Sequence, residues 1–497
     1  MNGLIPFLAL CLSNTLPTED ALARFELAWT AKLPWANVVD LTAQKGDSWD
    51  DKLQAAFAAL PKTGGVVYLP PGTYNFTRTI RLPSGVILRG ATPKQLDARK
   101  DDFAPPTRLV FPRYVPKFEG DGTLISSAFK GIHLATPGKA SRCGLVYLAL
   151  ERGHVRFDDA GDAQHTAGSQ LFVVGCLLTH AAVADPRIPD KKIHQPGWVR
   201  FTDRHHAAIH VRGSELLIAA NRLPQSGQEN FTMKNYPVRQ GNKEVVLDEV
   251  VFDYDNRPGL YVNDYGLGGA GASDPNGTPE THPWGFRKGI VIRDNYLYQT
   301  GRCAIAFAGD GVLCQGNVIR FAAGVYRPTV TGRDRSTGAS TNDNRAVQMR
   351  GWRWMVKDND YLVYRNLAAD RKYYINDGEG LMHEDHVNST VKDSLLEGNR
   401  GNTYISIYKT AGIDGLIVRN NTIADGIMVV ADRNKSRHEC RNVRIEGNTT
   451  AGGRIHLAGE PSSGNVIRNN KSTKPAKLIV QATAELKDNE GFTPAEK

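Results

Sequence analysis

The sequence predicts an all-β protein: a single right-handed parallel β-helix, a solenoid with a capping helix at its N-terminal end and long loops on one face. Three observations lead there. The 497 residues include 49 Gly and only 6 Met, with few long helix-forming runs, which is the composition of a turn-rich β-protein. The second half repeats one short phrase ending in Asn. Each copy is followed by a second run of strand-forming residues.

The phrase is an apolar β-run, two polar residues, then Asn. It occurs as VIRDN ending at Asn295, LCQGN at Asn317, VKDN at Asn359, LLEGN at Asn399, IVRNN at Asn421, VRIEGN at Asn448 and VIRNN at Asn470. The spacing is 22 residues in three of the six steps, 27 from Asn421 to Asn448, and close to twice 22 in the two where a loop intervenes. That is the period of a solenoid coil. An Asn at the same corner of each coil can stack its amide in a ladder and satisfy the turn backbone, so these Asn residues are expected to be structural.

The second runs are Ala304–Asp310, Ala346–Trp352, Gly380–Asp385, Tyr404–Lys409 and Gly426–Asp432. Neighbours along a strand point to opposite faces. With Ile305, Val347, Leu381, Ile405 and Ile427 in the core, Phe307, Met349, His383, Ile407 and Val429 point inward too. Ala306 and Ala308, Gln348 and Arg350, Met382 and Glu384, and Ser406 and Tyr408 then face solvent. Coils stack at about 4.8 Å, so Arg350, Glu384 and Tyr408 are expected in one column above a floor of small alanines. Extending the register backwards adds His210, Arg212, Tyr261 and Asn263 to the same face.

At the other end, Ser48 is a plausible N-cap for a short amphipathic helix that places Leu53, Phe57 and Leu60 on one side. The runs GGVVYLPPGTY (64–74) and LPSGVILRGA (82–91) follow it. This order resembles the start of the pectate-lyase-like parallel β-helices of polygalacturonases, related glycanases and phage tailspikes, whose helix caps the open end of the solenoid. The resemblance covers about Trp49 to Asn470 and implies the fold. It transfers no catalytic residue, because neither the polygalacturonase set nor the basic and Asp-His pairings of pectate lyases occur here. The expected division is an N-terminal lead over 1–46 and a β-helix domain over 47–490.

The first twelve residues hold an apolar run of signal-peptide length without a basic start. The one Ala-x-Ala, Ala21 to Ala23, lies behind two acids. A degraded signal peptide, and hence a secreted or periplasmic setting, is the expectation. No other stretch is apolar enough to span a bilayer. Six cysteines without CxxC or CxxH pairing argue against a zinc site and act as small buried hydrophobes. The net charge of +9 suits an anionic partner, yet basic residues do not interleave with aromatics as in a nucleic-acid module.

The densest titratable stretch is Tyr374 to His386, with Asp377, Glu379, His383, Glu384, Asp385 and His386. Long inserts at 185–206, 263–286 (with Trp284) and 326–345 are expected to wall a cleft. Glycoside hydrolysis needs a carboxylic acid on the leaving oxygen and a second carboxylate about 5 to 10 Å away. Glu384 with Asp385, Glu379 or Asp377 supplies such a pair, as does Glu384 with Asp310 two coils earlier. Arg350, Gln348, Tyr408, Lys409, His383, His210, Arg212, Asn263 and Trp284 are the substrate-binding candidates; no metal ligand is assigned. The substrate expected is a polysaccharide or oligosaccharide of anionic character, cleaved by a hydrolase that needs no cofactor. Two alternatives stand: a polysaccharide lyase or C5-epimerase acting on a uronate polymer, with Ca²⁺ held by acids, and a glycan-binding, tailspike-like β-helix without catalysis.

Overall fold

The computed structural model describes residues 16–112, 133–137, 139–157, 168–179, 207–225, 228–240, 243–254, 260–263, 287–298, 303–320, 328–329, 345–363, 379–384, 390–408, 410–433 and 436–495. Short strands wind into three long parallel sheets, and a short fourth one joins Thr390–Lys392, Gly412–Asp414, Cys440–Arg441 and Ser462–Ser463. The first runs through 14 strands from Val38–Asp40 to Ala484–Lys487. The second and third are rows of one 24-stranded network, joined where Lys471–Gln481 pairs with strands of both rows. The parallel stack begins at Val38, ahead of residue 47, because Val38–Asp40 pairs with Gly65–Leu69.

From Asn221 onward each coil turns from the first to the second sheet at an Asn, and these form the expected ladder. Asn317 Nδ2 donates to Asn359 Oδ1 at 2.9 Å, Asn359 to Asn399 at 3.0 Å, and Asn399 to Asn421 at 2.9 Å. The same Oδ1 accepts the backbone N–H of the preceding rung, and each Nδ2 also donates to a carbonyl of the preceding coil, Asn359 to Cys314 O and Asn399 to Val356 O. All seven predicted residues take part. Asn221 precedes them and Asn489 follows. The residue before each rung has positive φ, from 49° at Asp488 to 67° at Gly398, which is why Asp, Asn or Gly stands there at every rung except Asn221, which follows Ala220 (φ 52°).

The capping helix spans Trp49–Ala59, and Ser48 accepts from Asp51 N at 3.2 Å as its N-cap. Its buried Leu53 and Ala56 close the end of the core. A second apolar layer covers the outside of the first sheet. Leu22, Phe25, Trp29, Leu33 and Trp35 pack on outward-facing Val66, Ile87, Phe172 and Leu217, with Trp29 and Trp35 centred 6.2 and 6.4 Å from Phe172. Arg89 ties this layer down, donating to the Glu19 carbonyl at 2.9 Å and pairing with its carboxylate. Ala21 and Leu22, within the Ala-x-Ala stretch, are thus part of the packed structure.

Cys143, Cys176, Cys303, Cys314 and Cys440 are free and buried, and burial pushes the Cys143 and Cys176 thiols up to about 12. No helix among the described residues is long and apolar enough to cross a membrane.

Candidate active site

The third sheet carries the candidate residues. Its relevant strands are β1 (Ile209–Val211), β2 (Leu260–Val262), β3 (Cys303–Asp310), β4 (Arg345–Trp352), β5 (Glu379–Glu384), β6 (Ile405–Tyr408), β7 (Ile427–Val430) and β8 (Ile455–Ala458). Ile305, Val347, Leu381, Ile405 and Ile427 are register partners and lie in the core, as do Phe307, Met349, Ile407 and Val429. The outward set follows the predicted register. Ala306 pairs with Gln348, Gln348 with Met382, and Met382 with Ser406; Ala308 pairs with Arg350 and Glu384 with Tyr408. Backwards, His210 pairs with Tyr261 and Tyr261 with Ala306.

One expectation needs correction. These outward residues do not stand in open solvent: Gln348 is 5% and Arg350 7% exposed, and Ala306, Ala308, Met382 and Ser406 are buried. Ala306 and Ala308 sit beside the long side chains of Gln348 and Arg350 on the next coil, so the floor is enclosed.

Chain order explains where a cleft can form. The segments 180–206, 226–259, 321–344 and 364–378 all leave a second-sheet strand and return to the N-terminal end of a third-sheet strand. One of them contains a long antiparallel hairpin, Gln228–Gln240 with Lys243–Tyr254, extended by Pro328–Thr329 from another. The sequence reading passed over this hairpin. Its signal was present in two alternating runs, FTMKNYPV and VVLDEVVF, around Gly241-Asn242.

The candidates fall into three groups. Glu384 and Glu379 occupy β5, Glu384 at the register position of Tyr408 and one residue beyond the Met349–His383 pair, and Glu379 at that of Arg345. Asp377, Asp385, Lys409 and Trp284 lie outside the described residues. The rest have definite surroundings. Asp310, at the end of β3, takes two hydrogen bonds from Arg353, Nε to Oδ1 at 2.7 Å and Nη2 to Oδ2 at 2.5 Å, which holds the guanidinium pKa up. Asn263 is buried with a φ of 52°. It bonds Gly213 N and O and accepts from Arg287, which ties it to a corner. Arg212 Nε lies 3.3 Å from His210 Nε2, so these two act as a pair.

His383 is inward and fully buried, as the register requires. Its Nδ1 lies 3.0 Å from the Met349 carbonyl and so carries the proton, while the ring stacks on Trp354 at 6.4 Å. The residue binds β5 to β4 from inside the coil. Beneath the same strand, Tyr361 fills the space left by Gly380 and Gly401, and its hydroxyl donates to Thr403 O at 3.1 Å. Among the described residues no cluster of three His, Cys, Asp or Glu stands ready for a metal ion.

Residues 35–109 match the family model of rhamnogalacturonase A/epimerase, pectate lyase-like. The stacked parallel strands make the fold a parallel β-helix, and the matched stretch is its N-terminal part. Among solved structures, the catalytic unit of a GH87 α-1,3-glucanase from Streptomyces thermodiastaticus strain HF3-3 is similar at 16% identity and a TM-score of 0.44, over 92% of this chain and 69% of that one. The A-module of the mannuronan C-5 epimerase AlgE4 of Azotobacter vinelandii is similar at 12% identity and a TM-score of 0.35, over 92% and 99%. The surface adhesin PfbA of Streptococcus pneumoniae is similar at 11% identity and a TM-score of 0.42, over 92% and 91%. No curated protein sequence matches the chain.

Proposed function

We propose that the protein is a carbohydrate-active enzyme that hydrolyses glycosidic bonds of an acidic polysaccharide or oligosaccharide on the third sheet, in a secreted or periplasmic setting. The observation that carries this reading is the strand register of three successive coils: Met349 pairs with His383, Arg350 and Glu384 are the next residues of those strands, and Glu384 pairs with Tyr408, on the sheet whose N-terminal edge receives the long inserts. In it Glu384 protonates the leaving glycosidic oxygen as the C1–O bond breaks. Glu379, Asp377 or Asp385 acts as the base that takes a proton from the attacking water, or as the nucleophile that water later displaces. Arg350 favours the ionised form of a nearby carboxylate, and Gln348 and Tyr408 orient sugar hydroxyls. Asp310, clamped by Arg353, serves its corner instead.

Replacing Glu384 by Gln tests it: turnover falls by about 10²–10⁴-fold, the usual size of a lost general acid, with the circular dichroism spectrum and melting temperature unchanged. Retained turnover in a folded E384Q protein overturns the assignment.

A second reading draws on the cations of this sheet. Arg156, Arg212, Arg345 and Arg350 all lie on third-sheet strands or at their ends, which suits β-elimination from a uronate polymer or its C5 epimerisation. Elimination leaves an unsaturated, ultraviolet-absorbing uronide and hydrolysis does not. Loss of activity in chelator, restored by Ca²⁺, would favour the lyase.

A further inference from the structure

We infer that a pocket at the N-terminal ends of β6, β7 and β8 is a distal sugar subsite, binding another unit of the glycan chain whose cleavage is proposed at Glu384; the inference rests on that reading. The pocket has a volume of about 390 Å³, within the range of small-ligand sites. Tyr404, Asp425, Met428 and Arg454 line it, with Gly426 and Gly453. These residues come from three successive coils, where the second-to-third-sheet connections are short.

Two features point to a ligand. The floor is kept bare by close backbone packing: a Cβ on Gly426 would lie 2.0 Å from Arg454 O, and one on Gly453 would lie 2.1 Å from Gly426 N. Arg454 is exposed on the rim, and its guanidinium makes no hydrogen bond or ion pair among the described residues.

Tyr404 offers a ring face for a pyranose, and Asp425 offers an acceptor for hydroxyls. Arg454 suits an acidic substituent. The position fits a chain crossing the sheet obliquely. From the Glu384 rung the pocket lies two coils along the axis and about three residues along the strand, each close to 10 Å, so the two are about 14 Å apart. A few linked sugars span that distance.

The test is calorimetric binding of oligogalacturonates and α-1,3-gluco-oligosaccharides, each from disaccharide to octasaccharide, to the E384Q protein and to the same protein carrying Arg454→Ala or Tyr404→Ala. Affinity is expected to rise with chain length in E384Q. Each added substitution should weaken octasaccharide binding about tenfold or more, equivalent to about 1.4 kcal/mol, and leave disaccharide binding unchanged. Arg454 is exposed, so its variant stays folded even if Tyr404→Ala does not. If E384Q binds a long oligosaccharide and R454A binds it equally well, the subsite is overturned while the glycan reading stands. If E384Q binds neither series at any length, both are overturned.

Discussion

Arg353 grips Asp310 through both carboxylate oxygens across adjacent coils, one partner 52% exposed and the other 5%. A carboxylate held in this way contributes to stability. Asp310→Asn is expected to lower the unfolding free energy by about 1–2 kcal/mol and to leave turnover within twofold of wild type. A urea titration beside an activity assay separates this from the Glu384 variant, where the pattern is reversed.

The amide ladder gives a larger effect. Asn359 accepts from both the backbone and the side chain of Asn317 and donates to Cys314 O and Asn399. Asn359→Ala strands several buried polar groups at once. The expected loss is about 2–4 kcal/mol, measured as a lowered denaturation midpoint.

Tyr361 links scaffold to site. A Cβ on Gly401 would lie 2.0 Å from its ring and one on Gly380 2.4 Å, so the ring's place is fixed by two missing side chains. Gly401→Ala should cost about 1–3 kcal/mol through overpacking, and Tyr361→Phe about 1 kcal/mol through the lost bond to Thr403. Because Gly380 belongs to β5, Gly380→Ala is expected to reduce turnover as well as stability, which thermal melts and kinetics check together.

Acid should weaken a surface network in a defined direction. The hydrogen bond from Arg419, followed by that from Lys357, holds the Glu397 carboxyl below its ordinary 4.5. Folding therefore gains from this group above pH 4.5, and the gain is lost as the pH falls through the lower native value. Glu397→Gln should be less stable than wild type at pH 7, and the difference should close on acidification below 4.5. Denaturation midpoints measured across that window would show a constant difference if the ion pairs contribute nothing.

The register and the ladder were legible because each has a strict period. Ile305, Val347 and Leu381 fall at matching places in their coils, and alternation then sorts their neighbours. The layer of Leu22, Phe25, Trp29 and Trp35 was not legible, since short 3₁₀ turns give its apolar residues no regular spacing. The burial of Gln348 and Arg350 also escaped, because alternation tells which way a side chain points and nothing about what closes over it. The pocket beside Met428 is assembled from three coils, and its space is defined by Gly426 and Gly453, residues that leave no chemical mark in a sequence.

The ladder has one more consequence: length in this molecule is quantised. Asn448 N–H donates to Asn470 as Asn470 N–H donates to Asn489, and Thr449 and Lys471 hold equivalent places in the second sheet. Excising residues 449–470 would join Asn448 to Lys471 and offer the next amide in the same orientation, so a whole coil can be lost or gained without changing register. A change of length within one coil must instead be absorbed between the sheets, as the 27-residue coil from Asn421 to Asn448 does with the hairpin Asp432–Arg433 and Ser436–Arg437. Insertion and deletion in this chain therefore either take a whole coil or fall in the connections, of which the excursions into the third sheet are the longest.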